Sequence, residues 1–366
     1  MDGLNETERR NGLCAKRSSQ KFTRHHQLGK EASSEFESQT GLPSGAPEVL
    51  LFGMPRRRTL LRRTPATASV IAVMLACGVV VARQPQQTAP TPALMRPADL
   101  GKLPMPPADH TFSYGQDANQ IGELRLPAGQ GPHPVIVLVH GGCWMPQAAR
   151  YLAAMGDELK QDGIASWNIE YRRIGQSGGG WPGTYLDVGH AIDYLRTIAA
   201  QYQLDLSHTA VLGHSAGGHL AMWAGMRHRL APANLLYIAD PLPLRGVINL
   251  AGTIDMAANI AHMEEKCRGP VVTGLMGGTL LDVPERYKAV STQTLLPLGI
   301  SQALIWGDQE DFVPQPLVEE YVAAATRAGD HARLVLVPAA GHFETASPFT
   351  AAWPVVREAV RSMLRD

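Results

Sequence analysis

The chain has 366 residues, with 33 Lys and Arg balancing 33 Asp and Glu and a hydrophobic content of 45%. That content excludes wholesale disorder, the lack of a basic excess argues against nucleic-acid binding, and four cysteines are too few for a disulfide scaffold of this length. The neutrality is an average over unlike parts: the first 82 residues carry 12 Lys/Arg against 7 Asp/Glu, the remainder 21 against 26.

Residues 1–53 are polar and show no sustained apolar period, so they read as a disordered leader or as sequence upstream of the true start, with Met54 as that start. Arg56, Arg57, Arg58, Arg62 and Arg63 form a basic block that leads into an apolar core of 13 residues ending at Ala82. A charged region, a short apolar core and a small terminal residue predict a signal peptide over 54–82, cleaved after Ala82. At ~1.5 Å per residue the core spans roughly 20 Å, short of a ~30 Å hydrocarbon layer, so an uncleaved membrane anchor is the alternative. Export to the periplasm or the cell exterior is therefore expected, with membrane contact only through this segment. Arg57-Arg58-Thr59-Leu60-Leu61-Arg62 resembles a twin-arginine export signal, and Cys77 follows an imperfect lipoprotein box. Seven prolines within 83–109 predict a semi-extended linker, and 110–366 is long enough for one catalytic domain.

Within that domain, short apolar runs alternate with helical stretches. Strands are expected near 134–139, 164–169, 209–212, 246–250, 303–306 and 333–337. Helices are expected over 151–161, 184–202, 219–229, 317–327 and 353–364. This alternation predicts an α/β fold, a mostly parallel sheet with helices on both faces, and puts the chemistry at the carboxyl ends of the strands.

The motifs fall at those ends. Gly213-His214-Ser215-Ala216-Gly217 follows a strand and opens a helix. A serine hydroxyl is a weak nucleophile that needs an exposed, strained position and a neighbouring base, and flanking glycines permit the tight turn. Ser215 is the candidate nucleophile. His140-Gly141-Gly142-Cys143-Trp144 ends the first apolar run; the N–H groups of Gly142 and Cys143, with that of Ala216, are candidates for an oxyanion hole. His342 follows the last strand, in the order serine, acid, histidine, and is the candidate base. His140, His214 and His219 are motif shoulders with structural roles. The acid lies in Gly307-Asp308-Gln309-Glu310-Asp311-Phe312-Val313-Pro314, where spacing alone does not choose between the carboxylates.

Glu170 and Asp187 read as ion-pair or helix-dipole partners. Trp144 and Trp181 sit on turns over the active face and are candidates for substrate binding. The weakly periodic stretch 257–276 is a candidate cap. Cys143 and Cys267, the only cysteines left after cleavage, are left as free thiols, because a disulfide needs Cα atoms within about 7 Å and sequence does not establish that. No His/Cys cluster has zinc spacing and no Gly-rich loop reads as a phosphate cradle, so no metal and no cofactor is expected.

Together these segments resemble the α/β-hydrolases, and more closely the feruloyl-esterase-like and kynurenine-formamidase-like serine esterases. The likeness covers most of 134–360. It includes the HGGCW turn, Glu170-Tyr171-Arg172-Arg173, Gly178-Gly179-Gly180-Trp181-Pro182, the GHSAGGHLA elbow, Leu250-Ala251-Gly252, the acid loop and Gly341-His342-Phe343. The resemblance implies a serine hydrolase that cleaves a carboxylic ester of a small or medium acyl substrate through an acyl-enzyme. Arylformamidase activity is the alternative; a peptidase or a non-catalytic binding protein fits less well. Such acid loops usually read G-x-x-D-x-x-V-P, which puts Glu310 where Asp is expected and Asp311 beside it. Either can serve as the acid, with Asp308 a distant third.

Overall fold

The computed structural model describes residues 93–146 and 151–365. The predicted leader, the signal segment and the first part of the linker lie outside the described residues. Among the described residues, eight strands form one sheet: β1 (His110–Ser113), β2 (Ile121–Arg125), β3 (His133–Val139), β4 (Ala165–Ile169), β5 (Leu204–His214), β6 (Gly246–Leu250), β7 (Ser301–Gly307) and β8 (Ala332–Val337). Their order is β1-β2-β4-β3-β5-β6-β7-β8, antiparallel for the β1/β2 and β2/β4 pairs and parallel elsewhere. The six predicted strands are the six parallel ones.

The hairpin of β1 and β2 was not among the expected strands. His110-Thr-Phe-Ser113 is largely exposed at the sheet edge and Ile121-Gly-Glu-Leu-Arg125 mixes charges with apolar residues, so neither reads as a buried run. Glu123 and Arg125 are nevertheless buried and paired with each other at 3.0 Å.

Ten helices flank the sheet among the described residues: α1 (Pro97–Leu100), α2 (Ala153–Leu159), α3 (Gly183–Asp193), α4 (Leu195–Tyr202), α5 (Ala216–Met226), α6 (Ile260–Lys266), α7 (Val271–Met276), α8 (Pro284–Val290), α9 (Gln315–Arg327) and α10 (Trp353–Leu364). The single helix expected over 184–202 is two segments that meet at Tyr194, the second ending at Gln203 in the left-handed region (φ 51°).

Alternation along β3 explains the two cores. Val135, Val137 and Val139 face one layer with α3, α5 and α9, while Ile136 and Leu138 face the other with α2 and α10. In α10 the buried positions 353, 356, 359, 360, 363 and 364 follow the helical period and form one stripe against the sheet. Helix α5 differs, since all its residues are buried. It lies directly behind the centre of the sheet and gives the β5–α5 junction a rigid mount. No helix among the described residues is long and apolar enough to cross a membrane.

Candidate active site

Ser215 links β5 to α5 with φ 55° and ψ −123°, a conformation an L-residue adopts only at a cost. The glycines around it make the turn possible. A Cβ at Gly213 would sit 2.0 Å from the Gly217 carbonyl oxygen, and one at Gly217 would sit 2.1 Å from that of Val139. Strand, elbow and helix therefore touch backbone to backbone. The amide of Ser215 donates to the Leu250 carbonyl at 2.9 Å, which ties the elbow to the end of β6.

The Ser215 hydroxyl lies 2.9 Å from Nε2 of His342, and Nδ1 of His342 lies 2.8 and 2.9 Å from the two Glu310 oxygens. Glu310 is thus the carboxylate brought to the histidine. Its Oε1 also accepts the N–H groups of Phe312 (2.6 Å) and Val313 (3.1 Å), which turn the loop so that position 310 faces inward. Asp311, the other principal candidate, is not brought there. Its side chain is 63% exposed against 1% for Glu310, and it pairs with Lys266 Nζ at 2.7 Å. Consecutive residues of this tight loop point to opposite sides, so one carboxylate enters the site and its neighbour faces the cap. Asp308 is exposed on the loop.

Aromatic packing fixes the imidazole. The Phe312 ring stacks on His342 with centroids 4.0 Å apart and an interplanar angle of 18°, and Phe343 meets it edge-on at 4.9 Å. Neither phenylalanine was singled out from the sequence, although each adjoins a residue that was.

Behind the histidine loop runs a chain of buried polar groups. The Gly141 N–H donates to the Tyr151 hydroxyl (2.7 Å), the hydroxyl donates to Nδ1 of His214 (2.6 Å), and Nε2–H of His214 donates to the His342 carbonyl (2.9 Å). Burial, with nearby His342 adding to it, pushes the His214 pKa down to about 3, so this ring is a neutral strut that fixes the backbone of His342. His219, pushed down to about 4 by burial, contacts the Tyr185 hydroxyl at 3.0 Å beneath the elbow. His140 contacts Glu170 at 2.8 Å and stacks on Tyr171. Burial works to raise the pKa of Glu170, but His140, Arg173 and the Tyr171 N–H outweigh it and hold the carboxyl below its usual value. Asp187 takes a two-point contact from Arg172 at 2.8 Å. The shoulder histidines are thus engaged in buried contacts, and both carboxylates in ion-pair contacts.

The HGGCW turn carries three successive residues at positive φ: Gly142 (112°), Cys143 (55°) and Trp144 (55°). A Cβ at Gly141 would come within 2.9 Å of the Ser215 Cβ, so the turn lies against the serine. Gly142, Cys143 and Ser215 share a cavity of about 840 Å³ with His342. The expectation of free thiols is wrong. Cys143 forms a disulfide with Cys267, at a Cα separation of 6.0 Å and 124 residues apart in the chain. The segment that begins with α6 folds over the turn and delivers Cys267 from the end of that helix. Residues 265–268 line the cavity, so this part of the stretch read as a cap borders the site.

The two tryptophans do not line that cavity. Trp144 is fully buried in the core and meets the His219 ring edge-on. Trp181 packs against Tyr185 under the Arg286 guanidinium. The apparent exposure of a turn residue misleads here, because left-handed backbone at 144 directs the indole inward. Among the described residues, no group of three or more His, Cys, Asp or Glu is placed to hold a metal ion.

The family model BD-FAE matches residues 123–319. Esterase LipC of Mycobacterium tuberculosis is 33% identical over 117 residues, 31% of this chain and 28% of that protein. The probable isoprenylcysteine alpha-carbonyl methylesterase ICMEL1 of Arabidopsis thaliana is 29% identical over 109 residues, 30% of this chain and 22% of that protein. The chain thus spans less than a third of the length of either curated relative. Among solved structures, inhibited Esterase B from Lactobacillus rhamnosis superposes with a TM-score of 0.61 at 19% identity, covering 73% of this chain and 90% of that one. That likeness establishes the α/β-hydrolase fold.

Two expectations follow. Glu310→Gln should slow covalent labelling of Ser215 by a fluorophosphonate probe by about 10⁴-fold, because the imidazolium loses its counter-charge. Asp311→Asn should slow it no more than about fivefold, as befits an exposed ion pair; the reverse ranking would remove Glu310 from the relay. Cys267→Ser, or reduction by a phosphine, should lower the thermal midpoint, since a long loop is released at a cost of about 2–5 kcal/mol. The same change should slow labelling by about tenfold or more if Cys143 holds an oxyanion donor in place.

Proposed function

The chain belongs to the BD-FAE family, and we propose that it is a serine-dependent carboxylic ester hydrolase working through a Ser215–His342–Glu310 triad. The observation that carries this reading is the continuous contact from Ser215 Oγ through the imidazole to a buried Glu310 carboxylate, at 2.9 and 2.8 Å. The names of LipC and ICMEL1 as esterases support it.

In this mechanism His342 Nε2 takes the Ser215 proton as Oγ attacks the ester carbonyl. The charge that appears on the imidazole is balanced by Glu310, itself held by two backbone N–H groups. The carbonyl oxygen, now anionic, is received by the amides of Gly142, Cys143 and Ala216, with the N-terminus of α5 adding its dipole. Collapse expels the alcohol, protonated by His342, and leaves an acyl group on Ser215. Water activated by the same imidazole then releases the acid. The stack of Phe312 on His342 limits water near the ring, which strengthens each of these electrostatic interactions. The substrate in this reading is a small-molecule ester.

We also propose that the protein works outside the cytoplasm. The basic block and apolar core over 54–82 support export, and a disulfide beside the catalytic serine is stable in an oxidising compartment.

With p-nitrophenyl acetate and butyrate as substrates, the unaltered protein should turn over and Ser215→Ala should fall to the uncatalysed background or within about 10³–10⁴-fold of it. Turnover that persists in Ser215→Ala, or none in the unaltered protein, would end the ester-hydrolase reading. N-terminal sequencing of protein recovered from the culture medium or periplasm should begin just after Ala82. A mature chain that retains residues before Met54 contradicts the export signal.

A further inference from the structure

The expected linker borders the active site. Three separate contacts fix residues 95–106 to the catalytic domain. The Met95 N–H donates to one oxygen of Glu344, whose other oxygen accepts the Gly341 N–H at 2.9 Å. Glu344 is therefore a latch between this segment and the loop that carries His342. Leu100 and Leu103 pack against the second core, and the buried Arg125 guanidinium donates to the Pro106 carbonyl at 2.7 Å.

Helix α1 lies between these anchors, and Pro97, Ala98, Leu100 and Gly101 line the catalytic cavity with Phe312 and Phe343. None of the six carries a charge. The charged lining, Glu265, Lys266, Arg268 and Asp311, comes from the end of α6 and the acid loop. The cavity of about 840 Å³ thus has an apolar part and a charged part, and is far larger than an acetyl group needs.

We propose that residues 97–101 are a specificity-determining wall, which forms with Phe343 an apolar subsite for a bulky uncharged group of the ester, an alkyl chain or an aromatic ring. This rests on the ester-hydrolase reading and deepens it. An apolar wall selects by burial, and each methylene it covers is worth about fourfold in affinity. The strap supplies that burial without touching the triad, so it acts on the choice of substrate and leaves the chemistry to Ser215, His342 and Glu310. The group it receives belongs either to the acyl or to the alcohol side of the ester, and two substrate series tell these apart.

The test uses the full chain and two variants that add bulk where the wall meets open space, Ala98→Trp and Gly101→Phe. Both positions are exposed, and the backbone at Gly101 (φ −69°) accepts any side chain. One series lengthens the acyl chain from p-nitrophenyl acetate to octanoate, and the other enlarges the alcohol from methyl to naphthyl acetate. Both variants should lower the preference for the bulky over the small ester, read as the ratio of kcat/KM values, by about tenfold or more in at least one series. The series that responds assigns the subsite to the acyl or the alcohol side. Thermal midpoints and fluorophosphonate labelling, measured alongside, separate a reshaped wall from an unfolded chain. A smaller change in both series, in either variant that keeps its thermal midpoint, overturns the proposal while the ester-hydrolase reading stands. No turnover and no labelling in the unaltered protein overturns both.

Discussion

Ser215 occupies the left-handed region because β5, the elbow and α5 approach one another more closely than any side chain would allow. The carbonyl oxygens of Gly217 and Val139 fill the space where a Cβ at 213 or 217 would have to go. Holding an L-residue at φ 55° costs roughly 1–2 kcal/mol. Burial of Leu220, Met222 and Trp223 on α5 contributes on the order of 1.5–3 kcal/mol for each side chain, so packing of this helix outweighs the strain severalfold. Ser215 is thus displayed by the hydrophobic core beneath it. The end of β6 and the turn after β3 both lie directly against this junction.

Once the serine is fixed, the histidine must meet it from a loop at the far end of the chain. That loop is anchored in three ways: His214 binds its carbonyl, Glu344 binds its Gly341 amide, and Phe312 stacks on the ring. His214 donates there through Nε2–H while its Nδ1 accepts the Tyr151 hydroxyl, a pairing that needs the neutral ring, and burial keeps it neutral. Burying the Glu310 carboxyl group is unfavourable alone. Two backbone N–H groups and the imidazole offset that cost by contacting it there.

Much of this was legible in the sequence, for identifiable reasons. The six parallel strands announce themselves because both faces are covered, which forces uninterrupted apolar runs such as 134–139. The elbow, the glycine turn and His342 are legible because their chemistry demands particular residues at particular points of the strand–helix alternation. The hairpin of β1 and β2 is not, since an exposed edge needs no such run. Glu310 and Asp311 are adjacent, so pattern alone does not say which faces inward; two amide contacts three-dimensional in origin decide it. The disulfide joins positions 124 apart and depends on where α6 folds. The strap over 97–101 was hidden by its own prolines, which signal a tether in sequence even where leucines at 100 and 103 pin it to the core.

The turn that carries Cys143 shows how these hidden contacts divide the labour. Two of its three left-handed residues, Cys143 and Trp144, have side chains, so by the same ~1–2 kcal/mol per residue the turn is under strain when taken alone. Trp144 offsets this by burying its indole completely, which is why it is unavailable to substrate, and Cys143 is tied covalently to the end of α6. Both side chains of the turn are therefore committed to holding its backbone. The end of α6 shares that duty through Cys267, whereas α1 has no covalent tie to the turn and meets the cavity with the uncharged residues Pro97, Ala98, Leu100 and Gly101.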